Sequence, residues 1–307
     1  MRYASWTIII DDIVFPDGRT TMGVLGGGGL YAAAGMRLWN RDVGVIASVG
    51  ADFDMARLAG LDLRTGGLRV NDRPTARAWQ LFEANGRRTQ IPRLAAADWL
   101  AQLTRPDDFP DWLASLGVRA FHLLSRGHPD DPELVTRLAD TGVRLSLEPI
   151  IEDGMNQEQR KRVLACLPYV EVFSPGIAEA RVLLGKQLLG DSLKAFADLG
   201  PAIVALRLGA AGSVVYGRES ARMLRVPPAP ANVVDVTGAG NAYCGGLLVG
   251  WVEHGALDRA AAYAAISAAL TIQQVGPPTI TPALVATAAR RLPQMLAVMR
   301  EVKYCCD

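Results

Sequence analysis

Short runs of β-branched and aliphatic residues alternate along this chain with longer stretches whose apolar positions recur every three to four residues. The runs at 3–10, 43–49, 119–124, 143–147, 169–173, 203–208 and 213–216 predict strands. The stretches at 30–39, 131–141, 157–166, 177–184 and 193–199 predict helices between them. Such alternation implies an α/β protein: a mostly parallel sheet with helices on both faces. The last third changes character, with three successive helices expected at 242–253, 257–274 and 282–300. One segment departs from the scheme. Residues 75–83 and 87–91 alternate apolar and polar positions and are joined through Ala84-Asn85-Gly86, which predicts an antiparallel hairpin. Both a lid over a ligand and an ordinary surface hairpin fit that pattern.

Composition narrows the partners. The 307 residues are 50% hydrophobic and carry 32 basic against 31 acidic side chains. So much apolar surface excludes a disordered chain. A net charge of +1 offers no field to attract nucleic acid or a membrane surface, and neither partner is expected. Residues 260–289 carry no charge, but Gln273-Gln274 and Gly276-Pro277-Pro278 interrupt them, so a buried Ala-rich helix is expected rather than a membrane span. Cys166, Cys244, Cys305 and Cys306 form no CxxC pair and no metal spacing with His122, His128 and His254, which suits a reduced, cytoplasmic protein. His122 reads as a satisfied core histidine.

The candidate chemistry lies in three glycine loops. Residues 232–235 read as a strand that ends at Asp235; Val236-Thr237-Gly238-Ala239-Gly240-Asn241 then turns into an amphipathic helix. Glycines bare the backbone there, and the unpaired N–H groups of the first helical turn favour an anion. Gly26-Gly27-Gly28-Gly29 precedes the helix at 30–39, where either flexibility or close approach of a small ligand accounts for four glycines. Arg207-Leu208-Gly209-Ala210-Ala211-Gly212 turns at the end of a buried run, the place where open α/β sheets bind ligands.

These loops, with Gly50-Ala51-Asp52, Arg73-Pro74-Thr75 and Pro175-Gly176-Ile177-Ala178-Glu179, resemble the ribokinase-like (PfkB) family of carbohydrate and nucleoside kinases over nearly the whole chain. The segment from Ile10 to Ala33 looks closest to a fungal-type branch associated with maintenance of a killer virus. The resemblance implies one ribokinase-like, Rossmann-like domain over 1–307 with a small β lid from about 11–24 and 74–92. It further implies ATP-dependent phosphoryl transfer to a hydroxyl of a small sugar-like or nucleoside-like metabolite. Gly238, Ala239 and Gly240 match the anion hole; Arg207, Gly209, Gly212 and Thr237 match the nucleotide side; Glu179 matches an acidic residue that organises Mg²⁺. Asp235 and the loop near Gly276 match a region that holds a monovalent cation such as K⁺. Gly27, Gly28, Tyr31 and Asp12, or Asp11 in its place, match the substrate side, and a homodimer through the lid is plausible by the same likeness.

Four departures from the family pattern bear on activity and substrate, one of them Ala51 in an early Gly-Asp-Asp that here reads Gly50-Ala51-Asp52. Asn241 stands where the family carries an aspartate that acts as catalytic base, and an amide accepts no proton at useful pH. An Asn241→Asp variant that gains activity would show the base position to be intact. Gly176 replaces an asparagine before the metal-associated glutamate, and Tyr31 replaces one after the glycine run. These changes leave open a degenerate protein that binds a nucleotide or metabolite without transferring phosphate.

Overall fold

A computed structural model of the chain describes residues 1–84, 88–151, 154–185 and 188–303. Its strands are β1 (Tyr3–Trp6), β2 (Ile9–Val14), β3 (Thr20–Gly26), β4 (Val43–Gly50), β5 (Leu68–Asn71), β6 (Arg77–Phe82), β7 (Arg88–Pro92), β8 (Ala120–Ser125), β9 (Arg144–Pro149), β10 (Val172–Phe173), β11 (Ile203–Arg207), β12 (Ser213–Gly217), β13 (Arg222–Val226) and β14 (Arg300–Glu301). Ten of them form one sheet in the order β14-β13-β12-β11-β10-β9-β8-β1-β4-β5. The pairs from β11 through β5 are parallel, and β12, β13 and β14 extend the sheet as antiparallel strands. The inner strands are buried on both faces, which is why they read as unbroken apolar runs.

One core lies on each face of this sheet. The helices Gly28–Arg37, Ala239–His254, Leu257–Thr271 and Pro282–Val298 enclose the first, around Leu30, Met36, Leu247 and Ile266. The second gathers Phe109, Trp112, Val135, Val163 and Phe196 from the helices of the middle of the chain. Among the described residues no helix is long and apolar enough to cross a membrane. The uncharged stretch after residue 260 belongs to the buried helix Leu257–Thr271.

A second sheet, ordered β3-β2-β6-β7, stands beside the first. The expected hairpin is its β6-β7 pair, from Ala78↔Pro92 to Phe82↔Arg88, while Asn85 and Gly86 lie outside the described residues. The expected single strand at 3–10 is two strands in two sheets. The chain leaves the main sheet at Thr7, whose φ of 108° is a left-handed conformation, and re-enters extended structure at Ile9. Hydrophobic pattern cannot signal such a break, because the residues on both sides are buried. Asp52 ties down the entrance to β6: its Oδ1 accepts from the Thr75 backbone N at 2.9 Å and Oγ1 at 2.6 Å.

The other misread strand is the one at 232–235. No strand forms there among the described residues, and Val233, Val234 and Val236 are exposed. The segment is an irregular loop held by hydrogen bonds from the Val234 and Asp235 backbone N–H groups to the Ile272 carbonyl. Three valines mimic a buried strand in sequence, yet no neighbour offers them a ladder.

Candidate active site

Two helix starts meet at the C-terminal edge of the parallel strands. The helices Gly28–Arg37 and Ala239–His254 touch backbone to backbone. A Cβ on Gly35 would fall 2.3 Å from the Ala242 carbonyl oxygen, and one on Gly245 2.1 Å from that of Ala32. This contact brings the loop Gly26–Gly29 against the loop 237–241. Gly238 caps the second helix with φ 75°, and no side chain takes up that helix's first N–H groups. Its start is therefore a site of positive potential that favours an anion. The Tyr31 ring lies on Gly238, 2.1 Å from where a Cβ would be, and the Arg207 guanidinium lies the same way on Gly240, at 2.0 Å. Only glycine admits both neighbours.

Arg207 ends β11, and Glu148 stands near the end of β9, so both point out of the sheet beside Asn241 in the first turn of the helix. Arg207 donates to Glu148 Oε1 at 2.5 Å, and Asn241 Nδ2 donates to Glu148 Oε2 at 2.8 Å. Burial acts to raise the Glu148 carboxyl, but the Arg207 charge, with His122 and Asn241, outweighs it and holds the group at about 2. Glu148 is thus an ionised carboxylate at neutral pH, only 5% exposed. Sequence reasoning missed it. The available signal was the one used for Arg207, a charged residue closing a buried parallel strand.

His122 also departs from expectation. Its Nδ1 bonds Ser146 Oγ at 3.1 Å, but its buried Nε2 has no hydrogen-bond partner and faces Glu148 Oε2 at 3.4 Å. Together with Cys244 these residues place three donor atoms within 4.8 Å of one another, a cluster that sequence spacing does not show. Burial pushes the Cys244 thiol up, so it stays protonated, and Arg207 already neutralises Glu148. The cluster as built is a packed core beneath the site.

The two adjacent aspartates of β2 face opposite ways, as strand geometry requires. Asp12 is the acid singled out from sequence, and the structure places it in an ion-pair node within the second sheet. It accepts from the Gly23 N–H at 2.7 Å and from Arg77 at 2.7 and 2.8 Å, and it also pairs with Arg93. Burial opposes its charge, but these donors hold its carboxyl at about 2. Both oxygens of Asp12 are thus engaged by the protein's own donors, and Asp11, the alternative named from sequence, faces the other way. Asp11 faces Gly26, where a Cβ would meet Oδ2 at 1.8 Å, and its Oδ1 accepts from Gln80 Nε2 at 2.7 Å. Burial raises its carboxyl to about 6, with the charges of Asp12 and Asp235 adding to the rise. The Tyr31 hydroxyl, raised by burial and by the charges of Asp11 and Asp235, is buried with no hydrogen-bond partner among the described residues, as is Asp235 Oδ2.

Glu179 lies in the first turn of the helix Ile177–Leu184, and its charge acts on Arg207. Its carboxylate folds back over Gly176, where a Cβ would sit 2.1 Å from Oε2. The glycine that breaks the family pattern makes room for that fold. Mg²⁺ keeps most of its water and needs only one or two carboxylates, a demand that half-buried Glu179 meets. Thr237 is committed elsewhere: its N and Oγ1 both donate to Asp235 Oδ1, at 2.9 and 2.7 Å. Gly212, at φ 83°, is required by the turn, since a Cβ would meet the Val226 carbonyl oxygen at 2.2 Å; Gly209, at φ 60°, opens on empty space.

A cavity of about 820 Å³ runs beside the second sheet, lined by Trp6, Gly28, Trp99, Leu124, Arg126 and Arg162 among others. Gly28 forms part of its wall, and a Cβ there would meet Leu124 at 2.9 Å and Asn241 Nδ2 at 3.0 Å. An uncapped helix start, a half-buried arginine and a neighbouring cavity suit the holding of a phosphate group.

Comparison with known proteins agrees. Residues 14–284 match the model of the pfkB family of carbohydrate kinases, and the chain belongs to that family. It is 24% identical over 246 residues to a cytidine kinase of Thermococcus kodakarensis, covering 80% of this chain and 86% of that one. It is 27% identical to an uncharacterised protein of Schizosaccharomyces pombe, across 89% and 84% of the two chains. In structure it resembles a putative ribokinase II of Escherichia coli solved with ATP and Mg²⁺, with a TM-score of 0.75 at 20% identity over 94% of this chain and 99% of that chain. The expected fold, a ribokinase-like α/β sheet with helices on both faces, is the fold observed.

Proposed function

We propose that this protein transfers the γ-phosphoryl group of ATP to a hydroxyl of a small sugar-like or nucleoside-like metabolite. The observation that carries the reading is the uncapped helix start at Gly238–Asn241, flanked by Arg207 and packed beside Gly28, which lines the cavity. The triphosphate would lie along the loop at Gly209 with Arg207 at its phosphates. A guanidinium there can bind two phosphate oxygens at once. The acceptor would enter beneath the four-stranded sheet, which serves as the lid, with Asp11 and Tyr31 on its hydroxyls.

The acceptor oxygen attacks the γ-phosphorus, the bond to the β–γ bridging oxygen breaks, and ADP leaves. Amides at the helix start stabilise charge on the equatorial oxygens. A magnesium ion held by Glu179 through water would neutralise phosphate charge, and the unpartnered Asp235 Oδ2 suits a monovalent cation such as K⁺. Asn241 cannot take the hydroxyl proton, which passes to a phosphoryl oxygen or to water. A loose transition state tolerates that, because positioning and charge dominate phosphoryl transfer. Buried free Cys166 and Cys244 suit work in the reducing cytoplasm. A second copy would pair through the lid sheet, a point tested by solution mass.

The test is ATP consumption with Mg²⁺, K⁺ and a panel of sugars and nucleosides, with the phosphorylated acceptor identified by mass. ADP formation that tracks one acceptor is expected; no product with any acceptor would overturn the reading. A binding protein without transfer is the second reading, favoured by the amide at 241 and by the Tyr31 ring on Gly238. It predicts that ATP raises the melting temperature with no ADP released.

A further inference from the structure

We infer that Glu148 is the positioning residue of the transfer site, a carboxylate that orients the Asn241 carboxamide and carries the negative charge lacking at position 241. The inference rests on the phosphotransfer reading and deepens it. An ionised carboxylate only accepts hydrogen bonds, so the atom of Asn241 that meets Glu148 Oε2 at 2.8 Å must be Nδ2. The carboxamide oxygen is then turned away from the core. It carries no hydrogen bond among the described residues, and it stands ready to accept from an acceptor hydroxyl. The second oxygen of Glu148 holds Arg207 at 2.5 Å against Gly240, where a Cβ would displace the guanidinium. One buried carboxylate thus sets both groups that flank the transferred phosphoryl.

The charged and titratable groups around Glu148 are Arg207 from β11, His122 from β8 and Cys244 from the helix Ala239–His254, with Glu179 acting on Arg207. Arg207 supplies one positive charge and Glu148 one negative charge. A second carboxylate at position 241 would therefore be in excess. Two carboxylates at hydrogen-bond distance share a proton instead of both ionising. The simple expectation that Asn241→Asp restores a base is thereby reversed. The aspartate becomes useful only if the carboxylate behind it is removed.

The experiment compares wild type, Glu148→Gln, Asn241→Asp and the exchanged double variant Glu148→Gln/Asn241→Asp. In the exchange, the amide introduced at position 148 donates to the carboxylate introduced at position 241, so the same bond runs in reverse. Each single variant should lose at least tenfold in kcat with the KM for ATP changed far less, and the double variant should recover at least tenfold over the worse single variant. The activity of Asn241→Asp should rise with pH as the shared proton is lost, and the double variant should reach its plateau at lower pH. A double variant no better than the worse single one, or Glu148→Gln within twofold of wild type, overturns the inference while leaving the kinase reading intact. The four proteins are also melted without nucleotide, a readout independent of turnover. Asn241→Asp should melt lowest and the exchange should regain the loss; no coupling between the positions overturns the inference. Coupling in a wild type that never consumes ATP instead sinks the kinase reading and leaves the orientation of Asn241 supported.

Discussion

Glu148 and Asp11 are both buried carboxylates at the same cleft, yet one is held at about 2 and the other raised to about 6. Burial is 5% exposure for the first and 3% for the second, so desolvation does not separate them. Their partners do. Glu148 has the Arg207 guanidinium bonded to one oxygen, whereas Asp11 is bonded to the neutral Gln80 amide, feels the Arg88 charge only through space, and has two further carboxylates opposing its ionisation. One fold thus keeps a permanent anion beside the helix start at Gly238 and a titrating acid against Gly26.

The contrast breaks most sharply at Arg207. Arg207→Met leaves Glu148 buried without its cation, a change expected to destabilise the fold by roughly 3–5 kcal/mol. Urea unfolding at pH 7 measures it, and lowering the pH should return part of the loss as Glu148 takes up a proton. ATP should no longer raise the melting temperature of this variant.

Asp11→Asn tests the other half. A carboxyl raised in the folded state contributes stability that is complete below its unfolded value near 3.8 and is lost as pH rises through about 6. Asp11→Asn should therefore stabilise the protein at pH 7.5, by at most about 3 kcal/mol for a rise of about two units, and give no gain at pH 3.5. A gain of equal size at both values would mean that Asp11 is not raised. The same titration should weaken acceptor binding below about pH 6 in wild type, seen as a rising acceptor KM, and the variant should lack that dependence. The smallest effect is expected at Tyr31. Tyr31→Phe deletes a buried hydroxyl with no hydrogen-bond partner among the described residues and should leave stability unchanged or raise it by about 1 kcal/mol, read by thermal melting.

Legibility in the sequence followed what each signal measures. Buried parallel strands leave continuous apolar runs, so 43–49, 119–124 and 203–208 could be located within a residue or two. The glycine loops were legible because Gly238 and Gly240 answer steric demands that no other residue meets. Adjacent Asp11 and Asp12 could not be told apart, since which one faces the cleft depends on where the chain changes sheets. That event rests on the left-handed Thr7 alone. Glu148 was missed for a related reason, although its place at the end of a buried strand was legible. Its importance comes from Arg207 and Asn241, 59 and 93 residues further along, and no local pattern records such a meeting.

The crossing at Thr7 has a mechanical consequence. The chain climbs from the main sheet through Thr7 and descends again through Gly27, and the two passages press together: a Cβ on Gly27 would lie 2.9 Å from Ile9 N and 3.1 Å from the Thr7 carbonyl oxygen. β2 begins and β3 ends at this one point of close approach. Bulk added at Gly27 would press on Ile9 and Thr7 and so disturb the seating of both strands, while leaving Arg207 and Glu148 untouched.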